Sequence, residues 1–236
     1  MSKLLYQLDS YLKEFECQII EVDKEENAVV LDQTAFYPSG GGQPCDIGVL
    51  KGESEYIVKS VKKKSNKVYH YIEGELPKIE EKCKGIIDWD RRYKLMRTHT
   101  AMHILCGVVF RDYKAQVTGG NMDVLKGRMD FEFENFDKGL IEEIELKVNN
   151  EIENERDVEA KILSREEAFS IPNLIRTKIN LLPEGIEEVR TIEIKGLDLQ
   201  ADGGTHVANT KEVGTMKIVD HKSKGKINKR IYVEIN

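Results

Sequence analysis

The sequence predicts an α+β protein: a small β-rich, barrel-like domain over residues 1–86, then a two-layer α/β metal-binding domain over 87–236. Three observations predict it. Short, partly alternating apolar runs separated by turn residues fill the first 85 or so positions. A long, largely apolar helix starts at Trp89. Beyond it, helical and strand patterns mix around two pairs of metal-ligating residues.

The N-terminal strands are read over 15–22, 27–32, 46–50, 55–61 and 67–72, with the charged turn 23–26 between the first two. His70 lies among alternating strand residues without a partner motif and reads as structural. Residues 76–85 read as a polar connection. Three consecutive glycines at 40–42 interrupt the strand pattern. They relieve the steric limits on the backbone and let a ligand come close, while Phe36, Tyr37, Pro38 and Pro44 stiffen the loop. A flexible hairpin is the plainer alternative.

Asp88 or Asp90 is placed to cap the helix that follows. Met96, His99, His103, Gly107 and Phe110 form one stripe on it, with Leu95, Met102, Leu105 and Val109 beside them, so the helix is expected to be buried. Residues 116–121 read as a turn and 125–133 as a strand. Asp137 caps an acidic helix from 138 to about 156, and a strand follows at 158–163. Ser164 and Glu167 form a capping-box pattern, and the Ile171-Pro172 step ends the short helix it opens. Strands are read at 188–194, 213–219 and 229–235.

At 236 residues, 40% hydrophobic and 33% charged, the chain suits a folded globular protein rather than long disorder. The uncharged run 98–110 is too short to span a bilayer, and the N-terminus lacks a signal-peptide core, so a cytoplasmic protein without membrane contact is expected. Cys17, Cys45, Cys83 and Cys106 stand singly and read as small buried hydrophobes. The net charge of −6 hides a local basic run holding Lys222, Lys224, Lys226, Lys229 and Arg230.

The chemistry concentrates in two stretches. His99 and His103, four apart on a helix, share a face and can bind one ion. Asp202 and His206 repeat the spacing around Gly203-Gly204. A zinc ion on His99, His103 and His206 leaves one position for Asp202, water or substrate. Three protein ligands make a catalytic site, and four make a structural one. Both readings stand at this level, as does a metal-free pair of buried histidines.

Residues 91–105 (Arg-Arg-Tyr-Lys-Leu-Met-Arg-Thr-His-Thr-Ala-Met-His-Ile-Leu) and 202–214 (Asp-Gly-Gly-Thr-His-Val-Ala-Asn-Thr-Lys-Glu-Val-Gly) resemble the two metal motifs of the alanyl-tRNA synthetase editing domain. Residues 34–48 (Thr-Ala-Phe-Tyr-Pro-Ser-Gly-Gly-Gly-Gln-Pro-Cys-Asp-Ile-Gly) resemble the glycine-rich motif of the domain before it. The resemblance runs in order from about Asp32 to Val233 and lacks the aminoacylation domain, as in the larger freestanding AlaX-type editing proteins.

It implies a zinc-dependent hydrolase that removes serine, and sometimes glycine, from tRNA(Ala). An alanine pocket separates such neighbours only about a hundredfold by binding, so a second, hydrolytic site is needed. It implies that His99, His103 and His206 ligate the metal. Asp202 stands where the family usually carries cysteine, a softer ligand. Gln116 and Asp202 are the expected catalytic residues. Gly40, Gly41 and Gly42 are expected to approach the aminoacyl end, with the Thr34 hydroxyl bonding a seryl side chain. Lys222, Lys224, Lys226, Lys229 and Arg230 are expected to meet tRNA phosphates. The protein is expected as a monomer or homodimer. A non-catalytic tRNA-binding module with a structural metal is the second reading, and a hydrolase of small esters or amides the third.

Overall fold

The computed structural model describes residues 2–133, 137–175 and 185–236. They fall into two compact units, Met1–Lys94 and Leu95–Asn236.

In the first unit, β1 (Lys3–Leu4) pairs in parallel with β4 (Gln33–Thr34). The remaining strands are β2 (Glu14–Asp23), β3 (Ala28–Leu31), β5 (Gly48–Lys51), β6 (Glu55–Lys64), β7 (Lys67–Glu73) and β8 (Lys82–Ile87). They close an antiparallel barrel in the order β2-β3-β7-β6-β5-β8. Closure leaves no strand edge unpaired and gives each strand one inward face. Phe15, Ile19, Leu31, Phe36, Leu50, Val58, Val61, Val68 and Ile72 fill the interior.

β8 corrects the reading of 76–85 as a connection. Lys82–Ile87 bridges β2 and β5 and is the strand that closes the barrel. Its inward positions are Cys83, Gly85 and Ile87, a weak apolar signal. Gly85 is required there, because a Cβ would lie 2.4 Å from the Phe15 ring. The base of the glycine-rich loop is held by a buried ion pair. Arg92 donates from Nε to Asp46 (2.9 Å) and from its other guanidinium nitrogens to Asp46, Ala35 O and Ser10 O.

Helix α1 (Trp89–Tyr113) begins in the first unit and continues into the second. Asp88 caps it by accepting from Arg91 N–H at 3.1 Å. Leu95, Met96, Ala101, Ile104, Leu105, Val108 and Val109 are all buried, as expected for a helix apolar around most of its girth.

The second unit continues with β9 (Val117–Asp123), β10 (Lys126–Glu132), α2 (Lys138–Glu153), β11 (Val158–Ser164), α3 (Arg165–Ser170), β12 (Glu188–Ile194), β13 (Asp198–Ala201), β14 (Met216–Ser223) and β15 (Asn228–Ile235). One sheet runs β14-β15-β10-β9, and a second runs β11-β12-β13. Residues 117–121, read as a turn, are a strand. Gly119 and Gly120 pair with Asp130 and Met129 of β10, and the tertiary ladder overrides their low strand propensity. Asp137 caps α2 through Leu140 N–H, and Ser164 and Glu167 form the capping box of α3. The architecture is α+β. Among the described residues, no helix is long and apolar enough to cross a membrane.

Candidate metal centre

The centre lies within the second unit. Spacing of one helical turn puts His99 and His103 on the same face of α1, with ring centroids 5.1 Å apart. The other two groups come from the turn after β13. Its backbone is pinned from both sides: Asp202 N–H donates to Arg190 O at 3.1 Å, and the Arg190 guanidinium donates to Asp202 O at 3.0 Å. Gly204 N–H donates to Asp202 Oδ2 at 2.6 Å and closes an Asx-type turn. The turn carries His206 back under Asp202, with His206 Nε2 3.1 Å from Asp202 Oδ2.

One ligating atom from each of His99, His103, Asp202 and His206 lies within 4.8 Å of the others. Asp202 Oδ1 is 3.6 Å from His99 Nε2 and 3.9 Å from His103 Nε2. The His99 and His206 rings stack at 4.2 Å. The three histidines are buried and Asp202 is nearly so. The donor set can hold a metal ion.

The electrostatics suit that role. Burial pushes His99 down to about 4, partly offset by Asp202. Burial, reinforced by His99, pushes His206 well below its ordinary range. Both rings are therefore neutral at neutral pH, the form that coordinates metal. Burial works to raise the Asp202 carboxyl, but His99 and His206 outweigh it and hold it well below the usual carboxylate range. Burial lowers His103 too, yet Asp198 and Asp202 carry it above its ordinary value.

Four supporting residues were given no role from the sequence. Asp198, fully buried at its side chain, places Oδ2 3.6 Å from His103 Nδ1, a buried nitrogen that has no hydrogen-bond partner among the described residues. Gly107, one turn after His103, makes that approach possible, because a Cβ there would lie 3.0 Å from Asp198 Cβ and from Leu197. Thr100 Oγ1 lies 3.1 Å from His206 Nδ1 and accepts Val207 N–H at 3.2 Å, which fixes the ring with Nε2 toward the cluster. Arg190 braces the turn as above. Thr100 sits between the two helical histidines and the others outside any ligand-spaced motif; their neighbours in space reveal their roles.

The other expected site residues lie as follows. Gln116 is exposed and directly precedes β9. Thr34 is fully buried in the first unit. Its hydroxyl lies 2.8 Å from His70 Nε2 and accepts Phe36 N–H at 3.1 Å. His70 Nδ1 faces Val29 O at 3.3 Å, so Nε2 is the acceptor and the Thr34 hydrogen is spent on it. Gly40 and Gly41 are exposed at the tip of their loop and Gly42 is half-buried. In the C-terminal run, Arg230 forms a two-point pair with Asp130 at 2.6 and 2.7 Å. Lys229 Nζ donates to Ser223 Oγ, Gly225 O and Lys226 O. Lys222 pairs with Asp220 at 3.3 Å, while Lys224 and Lys226 are exposed.

Residues 189–232 match the family described as threonyl and alanyl tRNA synthetase second additional domain, and residues 7–91 match class II (A) tRNA synthetases. The chain is 41% identical to the alanyl-tRNA editing protein AlaX-M of Methanosarcina barkeri over 98% of both chains. It is 43% identical to AlaX-M of Saccharolobus solfataricus over 100% of this chain and 99% of that one. It is 38% identical to AlaX-L of Pyrococcus horikoshii over 96% of this chain and 56% of the longer relative.

Proposed function

The chain belongs to the alanyl-tRNA editing protein family, and we propose that it hydrolyses the ester linking serine, and secondarily glycine, to tRNA(Ala) in the cytoplasm. The observation that carries this reading is the buried gathering of His99, His103, Asp202 and His206 within 4.8 Å. Three imidazoles and one carboxylate suit zinc, which takes four N, O or S donors. Bound there, zinc would supply the Lewis acidity that polarises an ester carbonyl.

The chain's own groups prepare the site. Burial keeps His99 and His206 unprotonated, so their nitrogens are available as donors at neutral pH. Thr100 fixes the orientation of His206, and Asp198 sits behind His103 as the carboxylate that holds a ligating imidazole in place. Asp202 supplies the negative charge of the donor set. Gln116 is assigned to orient the substrate or the attacking water. Thr34 and the 40–42 loop are assigned to the aminoacyl group. With its hydrogen given to His70, Thr34 would meet a seryl hydroxyl as an acceptor.

Asp202's place among the imidazoles favours a second reading, in which four protein donors close the site and the ion is structural in a tRNA-binding module. Turnover separates the two. Protein of measured metal content is assayed on seryl- and glycyl-tRNA(Ala) before and after chelation, and as His103→Ala. Release of the amino acid that tracks metal content and is lost in His103→Ala is expected. Folded, metal-loaded protein that binds tRNA without releasing amino acid selects the structural reading.

A further inference from the structure

Strand β6 buries Tyr56, Val58 and Val61, and its register shifts between Val58 and Ser60. Beyond the shift, Lys62 and Lys64 stand opposite Tyr69 and Lys67, whereas Lys63 stands opposite Val68; Lys59 and these three are exposed. On β7, Val68, His70 and Ile72 point inward, so Tyr69 and Tyr71 lie on the outer face, half-buried. Lys62 sits opposite Tyr69, and Ser60 opposite Tyr71. The Lys62 ammonium lies 5.3 Å from the Tyr71 ring, and that of Lys64 lies 5.6 Å from Tyr69. Lys64 is paired with Glu26 and Lys67 with Glu21. Among the described residues, Lys59, Lys62 and Lys63 form no ion pair with a carboxylate. The acids of the two strands, Glu55 and Glu73, lie at the opposite end from the Lys64–Lys67 turn.

This face adjoins the glycine-rich loop. Past the first residue of β5, which pairs with Val58, Ser39 takes its place along β6: Ser39 N–H donates to Val61 O at 3.1 Å, and Ser39 pairs with Lys62. Gly40 and Gln43 then close the loop by reciprocal backbone bonds of 3.1 and 2.9 Å, leaving Ser39, Gly40 and Gly41 exposed beside the lysines.

We propose that the outer face of β6 and β7 binds the single-stranded aminoacylated end of the tRNA, with Lys59 and Lys62 on phosphates and Tyr69 and Tyr71 stacking bases. This rests on the reading that tRNA is the partner. Ammonium groups interleaved with aromatic rings are the chemistry of single-strand binding: cations follow the backbone, and rings accept any base by its face. Excess positive charge on this face of a chain of net charge −6 selects a polyanion. The sheet presents rings rather than a groove-filling helix, which favours unstacked bases over a duplex. The C-terminal run, by contrast, spends Arg230 on Asp130 and Lys229 on its own hairpin.

Two variants of the full chain, compared with the parent, test it: Lys59→Gln/Lys62→Gln and Tyr69→Leu/Tyr71→Leu. Leucine keeps the apolar cover of the barrel wall, and circular dichroism confirms folding. Binding of uncharged tRNA(Ala), of a short single-stranded RNA with its 3′ sequence, and of a blunt hairpin lacking that tail is measured by anisotropy across salt concentrations. Two lost phosphate contacts should lower the salt slope by about 1.4, and the affinity by on the order of twentyfold at 0.1 M salt. The tyrosine variant, which removes two stacking rings, should lose roughly thirtyfold or more with its salt slope retained. The blunt hairpin should bind the parent and both variants alike. Unchanged affinity and slope in both variants would overturn the surface assignment while leaving editing intact, and equal losses on the blunt hairpin would overturn the single-strand part. A parent that binds no RNA and releases no amino acid would overturn both this surface and the editing reading.

Discussion

Asp198→Asn isolates what holds a metal-ligating histidine in place. Asp198 Oδ2 faces two donors at once: His103 Nδ1 at 3.6 Å and the side-chain amide of Gln200. The substitution keeps size and shape but replaces one acceptor by an NH2 group. With the amide oxygen in the Oδ2 place both donors keep an acceptor but lose the carboxylate charge, and with the NH2 there both meet a donor in a fully buried place. Loss of a carboxylate behind a metal-bound imidazole typically costs 10–100-fold in metal affinity, or about 1.4–2.7 kcal/mol. Gly107 admits Asn as readily as Asp, so no packing change confuses the result. The assay is competition with a chromophoric chelator on folded protein, paired with a thermal melt of the metal-free form. A zinc affinity within twofold of the parent would refute the claim that Asp198 supports the centre. A fall in stability of the metal-free form, with metal affinity unchanged, would assign it to the fold alone.

Further outcomes follow from the same geometry. Arg92→Met leaves Asp46 buried without its guanidinium and should cost about 3–5 kcal/mol in urea unfolding, whereas a loss under 1 kcal/mol would contradict the clamp. Thr34→Val strips a partner from both His70 Nε2 and Phe36 N–H, so about 1–3 kcal/mol of stability is lost. Its ratio of serine to alanine release should also fall; an unchanged ratio removes Thr34 from selection. Burial pushes His70 down to about 4, so the unfolded chain takes up its proton first as pH falls below about 6.5. The stability conferred by neutral His70 is complete above that pH and is lost toward pH 4. Between pH 6.5 and 4.5 the parent should lose about 1.4 kcal/mol more per pH unit than His70→Gln. Equal slopes would mean His70 is not neutral in the fold. Asp202→Cys should bind zinc more tightly than the parent, since thiolate is the softer ligand, and titration with a chelator measures this.

The centre was legible because coordination imposes a spacing on the chain. His99 and His103 must lie one helical turn apart, and Asp202 and His206 must flank a turn tight enough for glycine. Asp198 and Arg190 were not legible, because they act through space on groups whose sequence neighbours give no sign of them. The barrel was legible from β2, β3, β6 and β7, whose apolar residues alternate. β8 escaped notice because its inward positions hold Cys83 and Gly85, the latter required by the closeness of the Phe15 ring. β9 escaped notice because glycine at 119 and 120 marks a turn until the ladder with β10 is seen. In the C-terminal basic run the pairing of Arg230 was not legible, because Asp130, which takes it up, lies 100 residues away. The lysines of β6 had no motif, and only their closeness to Tyr69, Tyr71 and the 40–42 loop distinguishes them from solvated charge.

The central claim is that this site removes the wrong amino acid and spares the right one. Seryl- and alanyl-tRNA(Ala) are presented side by side to zinc-loaded protein, and amino acid release is timed. Fast release of serine with alanine retained, abolished in His103→Ala, is the predicted result. Equal release of both, or of neither by folded, metal-loaded protein, would contradict it.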